Sequence, residues 1–429
     1  MLLIIYRIHF HLQNFYMSNH KSRNNTGSVS FRGIITCSLL FAALSISAQD
    51  RRKDSIEIIR TKTGYIKVEH LADLNEPWGM AWLPDGRLLI TEKPGRLRIY
   101  SAGKSLDSIK GLPKVEYHGQ GGLLDVKIDP NFATNNFVYI SYAEAAEKQP
   151  DVKRDIGDPR LGKFNDFSDA VLKGGAVARG KLIGNEIQNL EVIWRQVPKT
   201  IGRGHFGGRL LFAPDGKLII TSAERQRSEP AQDLTGNLGK MIRINPDGSI
   251  PSDNPFVGRK GVRPDIYSYG NRNPLGVAFH PTTKELWIHE MGALHGDELN
   301  KILPGKNYGW PIVGNGEHYD ISNIPDHETK PQYTKPVYHW YPAISPSGLI
   351  FYTGSLFKDW YGNALLGSFN SEALVILNIV ADNVSSEERI WLHRRVRDVI
   401  QASDGSVMII TDYKDGELIR LSPVSKPDL

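Results

Sequence analysis

The chain has 429 residues, 40% hydrophobic and 23% charged, with a formal charge of +5 and a pI near 9.0. The excess positive charge sits in residues 1–48, which hold Arg7, Lys21, Arg23 and Arg32 and no acid; beyond them 48 basic residues face 47 acidic ones. A chain so balanced gives no support for nucleic-acid binding, which needs concentrated positive charge.

In chain order, residues 1–48 read as a leader. Lys21, Arg23 and Arg32 precede an apolar run from Ile34 to Ile46, and Ser47-Ala48 offers small residues before the charged stretch from Asp50 to Asp54. A run this short does not span a bilayer. The expectation is export to the periplasm or beyond, with a mature chain from about Gln49 and no stable membrane insertion after leader removal. Met17 would start a leader of more usual length. Cys37 is the only cysteine, so the mature chain has no disulfide, and about 380 residues bury enough core to need none. Residues 49–65 are expected to be a linker and residues 66–429 one folded unit.

From Ile66 the chain repeats itself. PWGMAWLPDGRLLITEKPGRLRIY (77–100) is echoed by GGLLDVKIDPNFATNNFVYISY (121–142), GGRLLFAPDGKLIITSAE (207–224), PLGVAFHPTTKELWIHEMG (274–292), PSGLIFYTGSLFKDWYGNALLGSF (346–369) and VRDVIQASDGSVMIITDYKDGELIRL (396–421). Each copy has a small entry residue, an apolar strand, a turn, and a second apolar strand ending in a polar residue. One hairpin cannot bury both its faces, so six similar hairpins predict radial repetition: an all-β fold, the six-bladed β-propeller. Long connections at 143–206, 225–271 and 312–345 are expected to build binding walls.

The repeats do not need the polar residues at their entries. GRGHFGGR places His205 before the third unit, NRNPLG places Arg272 and Asn273 before the fourth, and GQGG places Gln120 before the second. Arg395 and Arg397, two apart on an extended strand, project to one side at the start of the sixth. Propeller strands start near the central channel, so these groups are expected to converge at one mouth. The stretch 286–311 adds a glycine-rich loop with Asp297, Glu298 and Tyr308, a set of oxygens suited to Ca2+. A base candidate, arginines suited to carboxylates and a cation that can polarise a carbonyl support a Ca2+-assisted site for a polycarboxylate cofactor or substrate. Residue types alone leave open which.

From about Leu71 to Leu421 the chain resembles the soluble pyrroloquinoline-quinone-dependent glucose/sorbosone dehydrogenases, in particular the aldose dehydrogenase branch. The motifs are GQGGLL (119–124), GHFGGR (204–209), GNRNPLG (270–276), GALHGDELN with PGKNYGWP (292–311), SPSGLIFY (345–352) and RVRDV (395–399). The resemblance implies a six-bladed propeller that oxidises the C1 hydroxyl of an aldose to a lactone by hydride transfer to the quinone. It implies His205 as general base, with Arg272 stabilising the developing charge. Gln120, Arg272, Asn273, Arg395 and Arg397 fall on the cofactor contacts. Gly292 and Ala293 fall on the carbonyls that hold the cofactor-bridging Ca2+, and Glu298 and Tyr308 on a second Ca2+. Three positions depart from the pattern: Ala293 stands for a proline, Asn370 for a lysine on the quinone, and Gly204 for the aspartate of some glucose-oxidising relatives. The implied partners are a small sugar and a periplasmic electron acceptor, with the protein a monomer or homodimer. A Ca2+-dependent propeller lactonase and a cofactor-free sugar-binding propeller are the alternatives, and the arginine pair counts against the first.

Overall fold

The computed structural model describes residues 56–149 and 171–426; residues 1–48, expected to be a leader, with Cys37 among them, and most of the polar stretch 148–169 lie outside them. Each repeat supplies the inner strands of a blade; five of the sheets have four strands and one has five. In the first, Pro77–Trp82 pairs with Leu88–Glu92 across the Asp85-Gly86 turn, and Arg96–Tyr100 and Asp107–Ile109 add outer strands. The second strands Leu88–Glu92, Leu218–Ser222, Leu286–Glu290, Ala364–Ser368 and Val407–Thr411 are buried along their whole length. Neighbouring blades cover both their faces, which is why they read as unbroken apolar runs.

Six sheets stand in a ring, and the inner strands Pro77–Trp82, Leu123–Ile128, Gly207–Phe212, Pro274–Phe279, Pro346–Phe351 and Val396–Gln401 pack around the central axis. The core lies in the seams between blades. Ala81, Leu89 and Leu97 of the first meet Val126, Val138 and Ile140 of the second, and the sixth seals to the first through Met408, Ile410 and Leu418 against Met80, Leu88 and Ile90. Burying one such aliphatic side chain stabilises the fold by about 1.5–3 kcal/mol. Among the described residues the one α-helical turn is Phe132–Asn135, and no helix is long and apolar enough to cross a membrane.

The ring closes through the chain's beginning. Tyr65–Leu74 pairs along Gly416–Val424, and Glu57–Arg60 adds a fifth strand to that sheet. Half of the described residues of the expected 49–65 linker, Glu57–Arg60 and Tyr65, are therefore strand, because the sixth repeat supplies only three strands. The long connections also differ from expectation. Residues 143–206 contain the outer strands Lys173–Ile183 and Glu186–Arg195, and residues 225–271 contain Lys240–Ile244 and Ile266–Tyr269. Likewise, 312–345 contains Tyr338–Trp340. These stretches complete blades first and build walls second.

One irregularity recurs. In every blade the ladder between the first two strands slips near its start: between Pro77 and Met80, Leu123 and Val126, Gly207 and Leu210, Pro274 and Gly276, Ser347 and Leu349, Val396 and Asp398. A bulge turns a strand and re-aims its side chains. Six bulges at one end of the axis re-aim the entries of all six blades.

Candidate active site at the mouth of the propeller

At that end a cavity of about 1160 Å3 opens, and its wall includes Gln120, His205, Arg272, Asn273, Gly292, Ala293, Asn370, Arg395 and Arg397. The expected base, cofactor contacts and bridging-metal carbonyls thus share one space. Arg209 lines a second hollow, of about 560 Å3, toward the far strand ends. Its Nη1 lies 2.9 Å from Asp398, its Nε donates to the Leu275 carbonyl, and its guanidinium lies 4.2 Å from the Trp78 ring of the first cavity.

His205 is buried, with φ at +48°. Its backbone N–H donates to Gln120 Oε1 at 2.8 Å, and its Nδ1 lies 2.5 Å from Glu224 Oε1. The other Glu224 oxygen accepts from the backbone N–H groups of Arg227 and Ser228. Burial, then Arg272, holds the His205 pKa below its ordinary value, although Glu224 pulls it up. Burial acts to raise Glu224, but the His205 ring, Arg272 and the Ser228 N–H outweigh it and leave the carboxyl below its usual range. The pair is therefore a neutral imidazole against an ionised carboxylate. Glu224 accepts only, so the ring proton sits on Nδ1 and Nε2 keeps its lone pair. A base of this kind stays deprotonated as pH falls to its lowered pKa, so the acid limb of kcat/KM should lie below pH 6.5. Glu224→Gln should move that limb lower still and depress turnover, because the upward pull and the fixed tautomer are both lost. A wild-type limb at or above pH 6.5 would show that the His205 ring is not held below its ordinary range in the working protein.

Arg272 is held through its backbone, whose N–H donates to Glu290 Oε2. Nη1 reaches the carbonyls of Met291 and Gly292, and the guanidinium lies 5.2 Å from the Trp310 ring. Its Nε and Nη2 are buried with no partner, as is Asn273 Oδ1. Unmade hydrogen bonds on buried groups cost about 1–3 kcal/mol each, so such groups mark a place where a ligand completes the set. Across the cavity both Arg395 and Arg397 lie 4.4 Å from the Phe369 ring. They share Asp412, at 3.3 Å and 2.7 Å. Burial pushes that carboxyl up, but Arg397 and Arg395 outweigh it and hold it down. Asn370 follows Phe369 on the same wall; its Nδ2 donates to the Ala343 carbonyl at 3.3 Å. The unpartnered Nε and Nη2 of buried Arg272, with the half-buried Arg395 and Arg397 opposite, fit a polycarboxylate quinone.

The acidic stretch is not a loop as expected: Asp297–Ile302 is a strand, because both acids are buried and bonded. Asp297 receives the N–H groups of Gly292, Ile344 and Ser345, which ties the fourth blade to the fifth. Glu298 lines a small hollow of about 20 Å3 with Glu290, Gly292, Ala293 and Tyr308. Asn300 Nδ2 bridges Glu290 Oε1 at 3.2 Å and Glu298 Oε2 at 3.1 Å, while its Oδ1 has no partner. Burial, then Glu298, pushes the Glu290 carboxyl up to about 8. Two buried carboxylates, Glu290 and Glu298, on one small hollow with the backbone of Gly292 and Ala293 fit a hard cation. The Tyr308 hydroxyl donates to the Lys301 carbonyl and accepts from the Leu303 N–H, so the phenol oxygen is already committed. Among the described residues no group of three or more His, Cys, Asp or Glu side chains is placed to hold a metal, and amides and carbonyls must make up the number.

A family model described as Glucose / Sorbosone dehydrogenase matches residues 74–420. The chain belongs to the glucose/sorbosone dehydrogenase family. Aldose sugar dehydrogenase YliI of Escherichia coli strain K12 is 37% identical over 83% of this chain and 93% of its own. The crystal structure of the soluble aldose sugar dehydrogenase from Escherichia coli, in its apo-form, superposes with a TM-score of 0.75 at 36% identity, covering 84% of this chain and 100% of that one. Quinoprotein glucose dehydrogenase B of Acinetobacter calcoaceticus is 31% identical over 57% of this chain and 52% of its own length. These relatives are oxidoreductases by name.

In this glucose/sorbosone dehydrogenase family member several acids that hold the wall residues escaped the sequence reading. Glu224, Glu290 and Asp412 hold His205, Arg272 and the arginine pair. A signal existed, since Glu92, Glu290 and Asp412 all stand at or just after the end of a buried second strand, and Glu224 two residues after one. Backbone strain gave no such signal. Glu76, His205, Gln226, Ser345 and Tyr413, none of them glycine, all have φ between 48° and 78° and all line the cavity. Left-handed backbone at such residues costs of order 1–3 kcal/mol and gathers at functional sites.

Proposed function

We propose that this protein is an exported sugar dehydrogenase, acting with pyrroloquinoline quinone and Ca2+, that converts an aldose to its lactone and passes the electrons to a periplasmic acceptor. The observation that carries this is the His205–Glu224 pair opening on the same cavity as the unpartnered donors of Arg272. The quinoprotein name of the Acinetobacter relative agrees with it. When bound, the quinone would supply a hydride acceptor and Ca2+ would polarise it. Arg272, Asn273, Gln120, Arg395, Arg397 and Asn370 would hold the quinone, and the carbonyls of Gly292 and Ala293 the bridging cation. His205 Nε2 takes the proton of the sugar C1 hydroxyl, and Glu224 stabilises the imidazolium that forms. Arg272 directs its free N–H groups at the charge that develops on the reacting oxygen.

The test is reconstitution: purified protein, Ca2+, a redox dye and a panel of aldoses, with and without added quinone. Dye reduction that needs both additions supports the proposal; none with any aldose overturns it. Asn370→Lys should tighten the quinone about tenfold or more without changing the order of sugars, since an ammonium adds a charge-assisted bond of about 1.5–3 kcal/mol to a carboxylate. Unchanged affinity would mean that position 370 does not face the cofactor.

A further inference from the structure

The proposed reaction leaves one part of the wall without a role. Glu76 enters the first blade, is only 9% exposed, and is held at φ +50°. Its backbone N–H donates to the Tyr413 carbonyl and its own carbonyl accepts from Lys93 N–H. The Tyr117 hydroxyl donates to Oε1 at 2.5 Å, and Lys93 Nζ lies 3.0 Å from Oε2. Burial opposes ionisation, but Tyr117 and Lys93 outweigh it and hold the carboxyl below its ordinary range. The side chain is connected to the base along the rim: Lys93 Nζ donates to the Gly119 carbonyl, and the next residue, Gln120, accepts from His205 N–H. Residue 119 must be small, because a Cβ there would lie 2.5 Å from Arg203 Cβ.

We infer that Glu76 is a specificity-determining residue, whose carboxylate accepts hydrogen bonds from hydroxyl groups of the sugar on the side away from C1. An ionised carboxylate offers about four acceptor sites. Tyr117 and Lys93 use one on each oxygen, which leaves each oxygen one site for a ligand O–H. Two acceptor oxygens on one carbon suit two neighbouring hydroxyls of a sugar ring. Tyr117 and Lys93 act as positioning residues: they keep the carboxylate ionised and fix its rotamer, while the backbone bonds to Tyr413 and Lys93 maintain the strained φ.

This inference rests on the sugar-dehydrogenase proposal, and its test separates the two. Wild type and Glu76→Gln, both loaded with Ca2+ and quinone, are assayed with a parent aldose and the monodeoxy sugars lacking one hydroxyl in turn. Wild type should lose about tenfold or more in kcat/KM on at least one deoxy sugar with C1 intact. Glu76→Gln should lose a similar factor on the parent, mainly in KM, and no longer distinguish that deoxy sugar from it. Tyr117→Phe, which removes one positioning bond, should shift KM the same way by less and covers a misfolded Glu76 variant. If Glu76→Gln keeps the wild-type preference across the series, the inference is wrong. If wild type oxidises no aldose, the proposed function falls, and the same series is titrated by tryptophan fluorescence. Weaker binding of the parent by Glu76→Gln then upholds the sugar contact, and equal binding ends it.

Discussion

Replacing His205 by glutamine is expected to slow dye-linked sugar oxidation by roughly 10²–10⁴-fold, the range that a positioned general base contributes. Quinone affinity should stay within a few-fold. The reason for the split lies in what His205 touches: Glu224 through Nδ1 and Gln120 through its backbone N–H, and neither bond holds the arginine wall. Glutamine keeps the backbone bond and offers no basic nitrogen near neutral pH, and the thermal melt reads any added cost of placing it at φ +48°. Stopped-flow oxidation of the sugar, quinone titration and a thermal melt on the same variant decide the matter. Loss of activity, quinone binding and melting temperature together would assign His205 to the fold rather than to the chemistry.

The propeller was legible because the second strand of five blades is buried on both faces and so reads as a largely apolar run, as in Leu88–Glu92 and Val407–Thr411. Outer strands carry no such mark. Glu186–Arg195 has only two buried positions, so its polar and apolar residues mix and the stretch reads as a connection. The pairing of Tyr65–Leu74 with Gly416–Val424 joins the two ends of the fold, and no local pattern announces it. At the site, His205, Arg272 and Arg397 could be found because each stands at a blade entry where the repeat needs no charge. Their partners Glu224 and Asp412 follow strand ends, where a lone acid reads as a solvated turn residue. Glu76 gave least of all, since its place in the cavity depends on a left-handed backbone that its neighbours impose.

Calcium should raise the thermal stability of the protein, and more at pH 8 than at pH 5. Without a cation Glu290 and Glu298 share the Asn300 amide, with Asn271 donating to the first and Asn315 to the second, and Glu290 has its pKa raised from 4.5 to about 8 by burial and by Glu298. A carboxyl raised in the folded state binds more protons there than in the unfolded chain, so its contribution is complete below pH 4.5 and is lost as pH rises toward 8. A divalent cation replaces that proton and stabilises the ionised pair, so its effect grows over the same window. Binding to the folded state alone adds about 4 kcal/mol at a thousandfold excess over Kd. Melting curves at the two pH values, with chelator and with excess Ca2+, measure the difference. Glu298→Gln should remove most of the gain, because it takes away one of the two buried charges. A chelated protein as stable as the loaded one at pH 8 would show that the Glu290–Glu298 hollow holds no cation.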